Sequence, residues 1–308
     1  MRRLLLALTL AVFASTAAAR AAIPPPLPAP LKSFDSGSLH VDVYGTPGRR
    51  ALVFIPGLTC GPWEWAGEIA QFSPSYTIYA LTLPGFDGHP AIKPPLFQTV
   101  SADFWTLLQT ESIVRPVVIG HSLGGTLAIM LAEQHSDKLG GVISVDGLPT
   151  FPGMDRMTAD QRAQAAAQMT AAMAQASTPA QFAAMEKTYV LPTLMISPDD
   201  IAVVAPLAAR SDIAATAAWT TEDIGLDLRA ELTKVATPLL VVAPFDAALE
   251  GKVLPDADAK RGYYEALLAN DPAANVQMIE PSRHFVMYDQ PKKLHDAIAA
   301  FVRQHPPG

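Results

Sequence analysis

One cysteine, Cys60, stands in 308 residues, so the chain can form no intramolecular disulfide and no cysteine-ligated zinc or iron–sulfur centre. Charge is sparse as well. Only 17% of residues are charged, 22 Lys and Arg against 29 Asp and Glu, and no long basic run occurs. The net charge of −7 argues against nucleic acid as a partner, because binding to a phosphate backbone is driven by lysine and arginine. Three motifs are also missing: no G-x-G-x-x-G after a first strand, no G-x-x-x-x-G-K-[ST] loop and no H-E-x-x-H. Nucleotide and helix-borne metal chemistry therefore have no support in the sequence. What the chain has in plenty is apolar side chains, half of all residues, enough at this length for a substantial core in one large domain or two small ones.

The first residues read as an address. Met1-Arg2-Arg3 precedes the apolar stretch from Leu4 to Ala14, and small residues then lead to Ala19-Arg20-Ala21. A positive start, a short apolar run and an A-x-A site describe a secretory signal peptide over residues 1–21, cleaved after Ala19 or Ala21. A retained anchor would need about 20 apolar residues, and Arg20 arrives too early for that. The expectation is an exported protein, periplasmic or secreted, with no stable membrane anchor. Residues 22–35 follow as a proline-rich linker, stiff and extended, since proline at the density of Pro24-Pro25-Pro26-Leu27-Pro28 joins neither a helix nor a central sheet.

From Leu39 onward short β-rich runs alternate with longer amphipathic ones, the pattern of a mostly parallel sheet flanked by helices, an α/β fold. Strands are expected at Leu39–Val43, Ala51–Ile55, Tyr76–Leu81, Val117–Ile119, Gly141–Val145, Leu239–Ala243 and Val276–Ile279. Helices are expected at Trp63–Phe72, Ala102–Gln109, Leu123–Gln134, Tyr263–Leu268 and Lys292–Gln304, with Pro291 opening the last. The alternation breaks after Val145. Residues 151–225 are rich in Ala, Met and Gln, and Thr158-Ala159-Asp160-Gln161 resembles a helix start. The expected organisation is a core in two parts, residues 36–150 and 226–308, separated by a helical cap over residues 151–225.

The most informative segment is Val117-Val118-Ile119-Gly120-His121-Ser122-Leu123-Gly124-Gly125. It sets G-x-S-x-G at a strand-to-helix junction, where Gly120 and Gly124 relieve collisions in a tight turn and Ser122 is pushed out above the sheet. The amides opening the following helix favour negative charge at the same spot. The segment resembles the nucleophile elbow of the α/β-hydrolase superfamily, and the resemblance extends over most of Leu39–Gln304. It implies the order nucleophile, acid, histidine, and a serine hydrolase that needs no cofactor.

His284, in Pro281-Ser282-Arg283-His284-Phe285, resembles the family's histidine after the last strand. Asp246, ending Val241-Val242-Ala243-Pro244-Phe245-Asp246, holds the family's usual acid position, with Asp146 at the end of the preceding strand as the competitor. The resemblance also implies an oxyanion hole from the amides of Leu58, in the Ile55-Pro56-Gly57-Leu58 turn where proline replaces the usual histidine, and of Leu123. Trp63, His89, Phe151, Met169 and Met173 are the candidate substrate-binding residues, the methionines as adaptable apolar lining. The function so implied is cleavage of a carboxylic ester of a small to medium apolar substrate, by acylation of Ser122. A slow-turnover receptor of the same fold, a lactonase, a thioesterase and an aminopeptidase are the alternatives, the last with Glu186, Glu222 and Asp223 as loose candidates for holding an amine.

Overall fold

Val117–His121 and Gly141–Val145 bury every side chain, as strands covered on both faces must. Around them a computed structural model describes residues 26–173 and 178–308; the expected leader lies outside the described residues. In chain order the strands are β1 (Lys32–Ser36), β2 (Leu39–Gly45), β3 (Ala51–Ile55), β4 (Thr77–Thr82), β5 (Val117–His121), β6 (Gly141–Val145), β7 (Leu239–Pro244) and β8 (Asn275–Ile279). The helices of the first part are α1 (Ala66–Phe72), α2 (Leu96–Thr110) and α3 (Leu123–His135). Residues 151–225 hold α4 (Ala159–Met173), α5 (Pro179–Met185), α6 (Leu191–Leu194), α7 (Pro198–Ala208) and α8 (Ile213–Gly225). The last part adds α9 (Ala247–Glu250), α10 (Ala257–Leu267), α11 (Val286–Asp289) and α12 (Pro291–Gln304).

The eight strands form one sheet in the order β1-β2-β4-β3-β5-β6-β7-β8. β2 runs antiparallel to both its neighbours, and every other pairing is parallel. All seven expected strands form, within two residues of their expected bounds. β1 is the addition. Its sequence, Lys-Ser-Phe-Asp-Ser, is largely exposed, so it lacks the apolar run that marks a buried strand, and part of it falls within the expected linker. Its place is fixed by pairing with β2 and by Ser38, whose amide donates to Asp103 Oδ2 of α2 at 2.7 Å.

Successive strand residues point to opposite faces, and each face has its own core. On one, Val53, Val118, Val142 and Val241 pack with α2, α3 and α10; on the other, Leu52, Phe54, Ile119 and Val242 pack with α1 and α12. α12 shows why such a helix forms: proline opens it, and Leu294, Ala297, Ile298, Phe301 and Val302 line one buried stripe. α2 begins at Leu96, six residues before the sequence suggests. The Glu222 carboxylate of α8 accepts from the amides of Leu96 at 2.7 Å and Phe97 at 3.1 Å, satisfying donors that no local residue caps.

The cap is welded to both cores. In α4 the expected start is a reciprocal capping box: Thr158 Oγ1 accepts from the Gln161 amide while Gln161 Oε1 accepts from the Thr158 amide. α7 contributes Ile201, Val204 and Ala205 to one core and α8 contributes Trp219 to the other. Trp219 is fully buried, meets Phe86 in a tilted and Phe97 in an edge-on contact, and donates its indole N–H to the Pro84 carbonyl at 3.0 Å. Replacing it, Trp219→Ala, should therefore lower global stability by about 3–5 kcal/mol, read as a shifted urea midpoint. A loss below about 1 kcal/mol would mean that the cap moves independently of the sheet.

Candidate active site

β5 ends and α3 begins at Ser122, which adopts φ 53° and ψ −120°, a backbone conformation that costs a non-glycine residue about 1–3 kcal/mol. Two glycines permit the turn. A Cβ on Gly120 would lie 2.1 Å from the Gly124 carbonyl oxygen, and one on Gly124 would lie 2.5 Å from the carbonyl oxygens of Ile55 and Pro56. The Ser122 amide donates to the Val145 carbonyl at 2.9 Å, tying the elbow to the end of β6. Its side chain borders a cavity of about 640 Å³, a size common for small-molecule sites.

His284 borders the same cavity, and its Nδ1 donates to Asp146 Oδ2 at 2.5 Å. The acid that meets the imidazole is therefore Asp146 at the end of β6, not Asp246. Asp146 also has positive φ, 53°. The hydroxyl of Tyr264, from α10, donates to its other oxygen. Burial opposes ionisation of Asp146, yet His284, Lys260 and Tyr264 together hold its carboxyl below the ordinary aspartate value.

Asp246 has other work. It caps α9, accepting from the Ala248 amide at 3.0 Å, and its Oδ2 accepts from Arg283 Nε at 2.6 Å. Arg283 in turn donates to the carbonyls of Pro192 and Met195 in the cap, at 2.6 and 3.0 Å. Asp246 thus anchors the residue before His284 and leaves the imidazole to its neighbour. The cue lay in Asp246-Ala-Ala-Leu-Glu250, a helix start whose first side chain is occupied by capping.

Leu58 and Leu123 both border the cavity; Leu123 opens α3, so its amide has no partner within the helix. Phe151, Met169 and Met173 line the cavity, as does Met185. Trp63 and His89 do not. Trp63 is buried in the core on the α1 side of the sheet, and His89 stacks on His40 with ring centroids 4.0 Å apart. Glu222 is likewise elsewhere, capping α2, whereas Glu186 and Asp223 reach the cavity wall. Among the described residues no group of three His, Cys, Asp or Glu side chains is placed to hold a metal ion.

Beneath the site lies a pair whose acid, Glu64, the sequence alone did not point to. His121, 1% exposed, faces Glu64, 2% exposed, with Nδ1 2.6 Å from Oε1. Its Nε2 lies 3.1 Å from the His284 carbonyl oxygen; a carbonyl only accepts, so Nε2 carries a proton. Glu64 Oε2 accepts from the Gly57 amide at 3.0 Å. Burial pushes the His121 pKa down, but Glu64, Asp146 and the His284 carbonyl outweigh it and raise the value, favouring an imidazolium with both nitrogens donating. A raised folded pKa contributes stability that is full below the unfolded value and lost as pH climbs through the folded one. Glu64→Gln should thus destabilise by about 3–5 kcal/mol near pH 6, with a smaller gap to wild type near pH 9. Equal gaps in urea midpoint at the two pH values would show that His121 does not change its protonation state between them.

A profile of the alpha/beta hydrolase family matches residues 52–297. Among curated proteins the chain is similar to 2-succinyl-6-hydroxy-2,4-cyclohexadiene-1-carboxylate synthase of Escherichia coli (strain SMS-3-5 / SECEC). The two are 34% identical over 128 residues, covering 40% of this chain and 49% of that protein, so the chain spans about half the length of the curated relatives it matches. Among solved structures, one from work on the carboxylesterases of Nitrososphaera gargenis superposes with a TM-score of 0.71 at 18% identity, covering 89% of this chain and 97% of the other. The enol-lactonase of Burkholderia xenovorans LB400 gives 0.68 at 20%, covering 86% and 96%. These two likenesses concern the fold. With the family profile running from β3 into α12 across the sheet just described, the chain belongs to the alpha/beta hydrolase family.

Proposed function

We propose that the chain is an exported serine hydrolase that cleaves carboxylic esters of small to medium apolar substrates, with Ser122 as nucleophile, His284 as general base and acid, and Asp146 as the orienting carboxylate. The observation that carries the reading is the 2.5 Å bond from His284 to Asp146, beside a cavity that the strained Ser122 also borders. Export is supported by the N-terminal sequence, with its Arg2-Arg3 start, apolar run and Ala19-Arg20-Ala21 site.

In this mechanism Ser122 Oγ attacks the ester carbonyl carbon as His284 Nε2 takes its proton. Asp146 accepts from Nδ1 and stabilises the imidazolium so formed. The carbonyl oxygen gains negative charge against the amides of Leu58 and Leu123, assisted by the N-terminus of α3. Collapse breaks the bond to the alkoxide, which takes the proton from His284 and leaves the acyl group on Ser122. Water then attacks the acyl carbon with His284 again as base, releasing the acid and restoring the serine. A lactone is an internal ester and follows the same course.

The Escherichia coli relative's product, by its name, carries carboxylate groups. This cavity supports a different choice. Its lining includes Leu, Val, Met and Phe side chains, and its acids Asp146, Glu186, Asp223 and Glu250 face a single Lys or Arg, Lys260. That balance disfavours anionic substrates and supports an apolar ester.

Measured as kcat/KM on p-nitrophenyl hexanoate, Ser122→Ala should lose about three or more orders of magnitude and Asp146→Asn about four. Asp246→Asn, which loosens Arg283 but leaves the imidazole its partner, should stay within about tenfold of wild type, a barrier change of about 1.4 kcal/mol. Equal losses in the two aspartate variants would return the orienting role to Asp246, and an unchanged Ser122→Ala would end the serine-hydrolase reading.

A further inference from the structure

Thr59 follows Leu58 in the turn after β3, borders the cavity and adopts φ 62°. A β-branched residue at positive φ is a genuine outlier, kept only where its surroundings over-determine it. Here the surroundings are a chain of hydrogen bonds that starts in the cap. Ser211, 6% exposed between α7 and α8, donates from Oγ to the Thr59 carbonyl at 3.1 Å. The other end of that peptide, the Cys60 N–H, donates to the Gly57 carbonyl at 3.1 Å. The other end of the Gly57 peptide is the Leu58 N–H. A trans peptide is planar and sets its N–H opposite its carbonyl, so each bond in this chain aims the next, and such chains also polarise their members. Ser211 itself stands on a fixed base. The Gly88 amide donates to the Arg210 carbonyl at 3.1 Å and the Asp212 amide to the Gly85 carbonyl at 2.7 Å. The Asp87 amide donates to Ser211 Oγ at 3.2 Å, which leaves the hydroxyl proton to Thr59.

We propose that Ser211 is a positioning residue for the oxyanion hole, setting from the cap the direction of the Leu58 amide. The inference rests on the hydrolase reading, in which that amide meets the charge that develops when Ser122 attacks. Without the hydroxyl the Thr59 carbonyl is buried with no donor, and one hold fewer opposes the strain at Thr59. The turn then relaxes, and the Leu58 N–H swings off the line of the developing charge. Binding of the uncharged ester does not use that line, so the loss falls on the transition state.

The test compares kcat on p-nitrophenyl hexanoate with the inhibition constants of hexyl trifluoromethyl ketone and hexyl methyl ketone. Ser122 Oγ adds to the carbonyl carbon of the first, its proton passes to His284, and the carbonyl oxygen becomes an alkoxide in the hole; the second binds without forming a bond. In Ser211→Ala, kcat should fall about tenfold, part of the hundredfold or more that loss of a whole donor costs. The trifluoromethyl ketone should weaken about tenfold and the methyl ketone less than about twofold. Glycine adopts the Thr59 conformation without strain, so in a Thr59→Gly background the Ser211→Ala step should cost less than about threefold. If Ser211→Ala does not fold, Ser211→Cys, which keeps a weak donor, should show the same pattern in smaller measure. Wild-type kcat in Ser211→Ala, or equal weakening of both ketones, overturns the positioning role and leaves the hydrolase reading intact. A wild-type chain that neither turns over the ester nor prefers the trifluoromethyl ketone overturns both.

Discussion

The buried contact between Glu64 and His121 is the constraint on which the geometry of this site depends. One carboxylate and one imidazole join three loops that are remote in sequence. Glu64 holds the Gly57 amide and so the turn that presents Leu58; His121 adjoins Ser122 in the elbow; and its Nε2 holds the carbonyl of His284. Nothing else described links all three. A buried pair of this kind adds little net stability compared with an apolar replacement, but losing one partner leaves a bare charge inside. Its value here is positional. A site of this kind must be held within a fraction of an ångström, and this pair supplies that hold at the cavity floor, where His121 is part of the lining.

Placement of the acid follows a similar logic of occupancy. β6 and β7 are neighbours in the sheet, and each ends in an aspartate near the histidine loop. Asp246 is already occupied by α9 and Arg283, while Asp146 turns into the left-handed region and is met by His284 and Tyr264. Both carboxylates support the same loop, one through the imidazole and one through the residue before it. Arg283 carries the second hold onward to the cap by its bonds to Pro192 and Met195, so histidine loop and cap are set together.

The cap is not a separate lid laid over the sheet. Trp219 belongs to one core and Ile201, Val204 and Ala205 to the other, and Glu222 caps a helix of the sheet layer. What remains of the cap's inner side, from α4 to the π-helical turn at Glu186, makes the roof of the cavity. The elbow and the histidine loop therefore sit at the strand ends, and much of the cavity's wall comes from the inserted helices.

Local pattern sufficed for much of this protein. Apolar runs such as Val117–Ile119 and Gly141–Val145 identified the central strands because burial on both faces demands them. Gly120 and Gly124 marked the tight turn at Ser122, and Pro291 marked the start of α12, because those residues act on their own backbone. Tertiary structure decided whatever depends on a distant partner. The edge strand β1 has no hydrophobic signal and exists through its pairing with β2. α2 starts early because Glu222 reaches it from a helix more than a hundred residues later. Trp63 and His89, aromatic and close to the site in sequence, were claimed by the core and by His40. Asp146 and Asp246 follow neighbouring strands; a local helix start occupies one oxygen of Asp246, and the long-range donors, imidazole and guanidinium, complete the division between the two carboxylates.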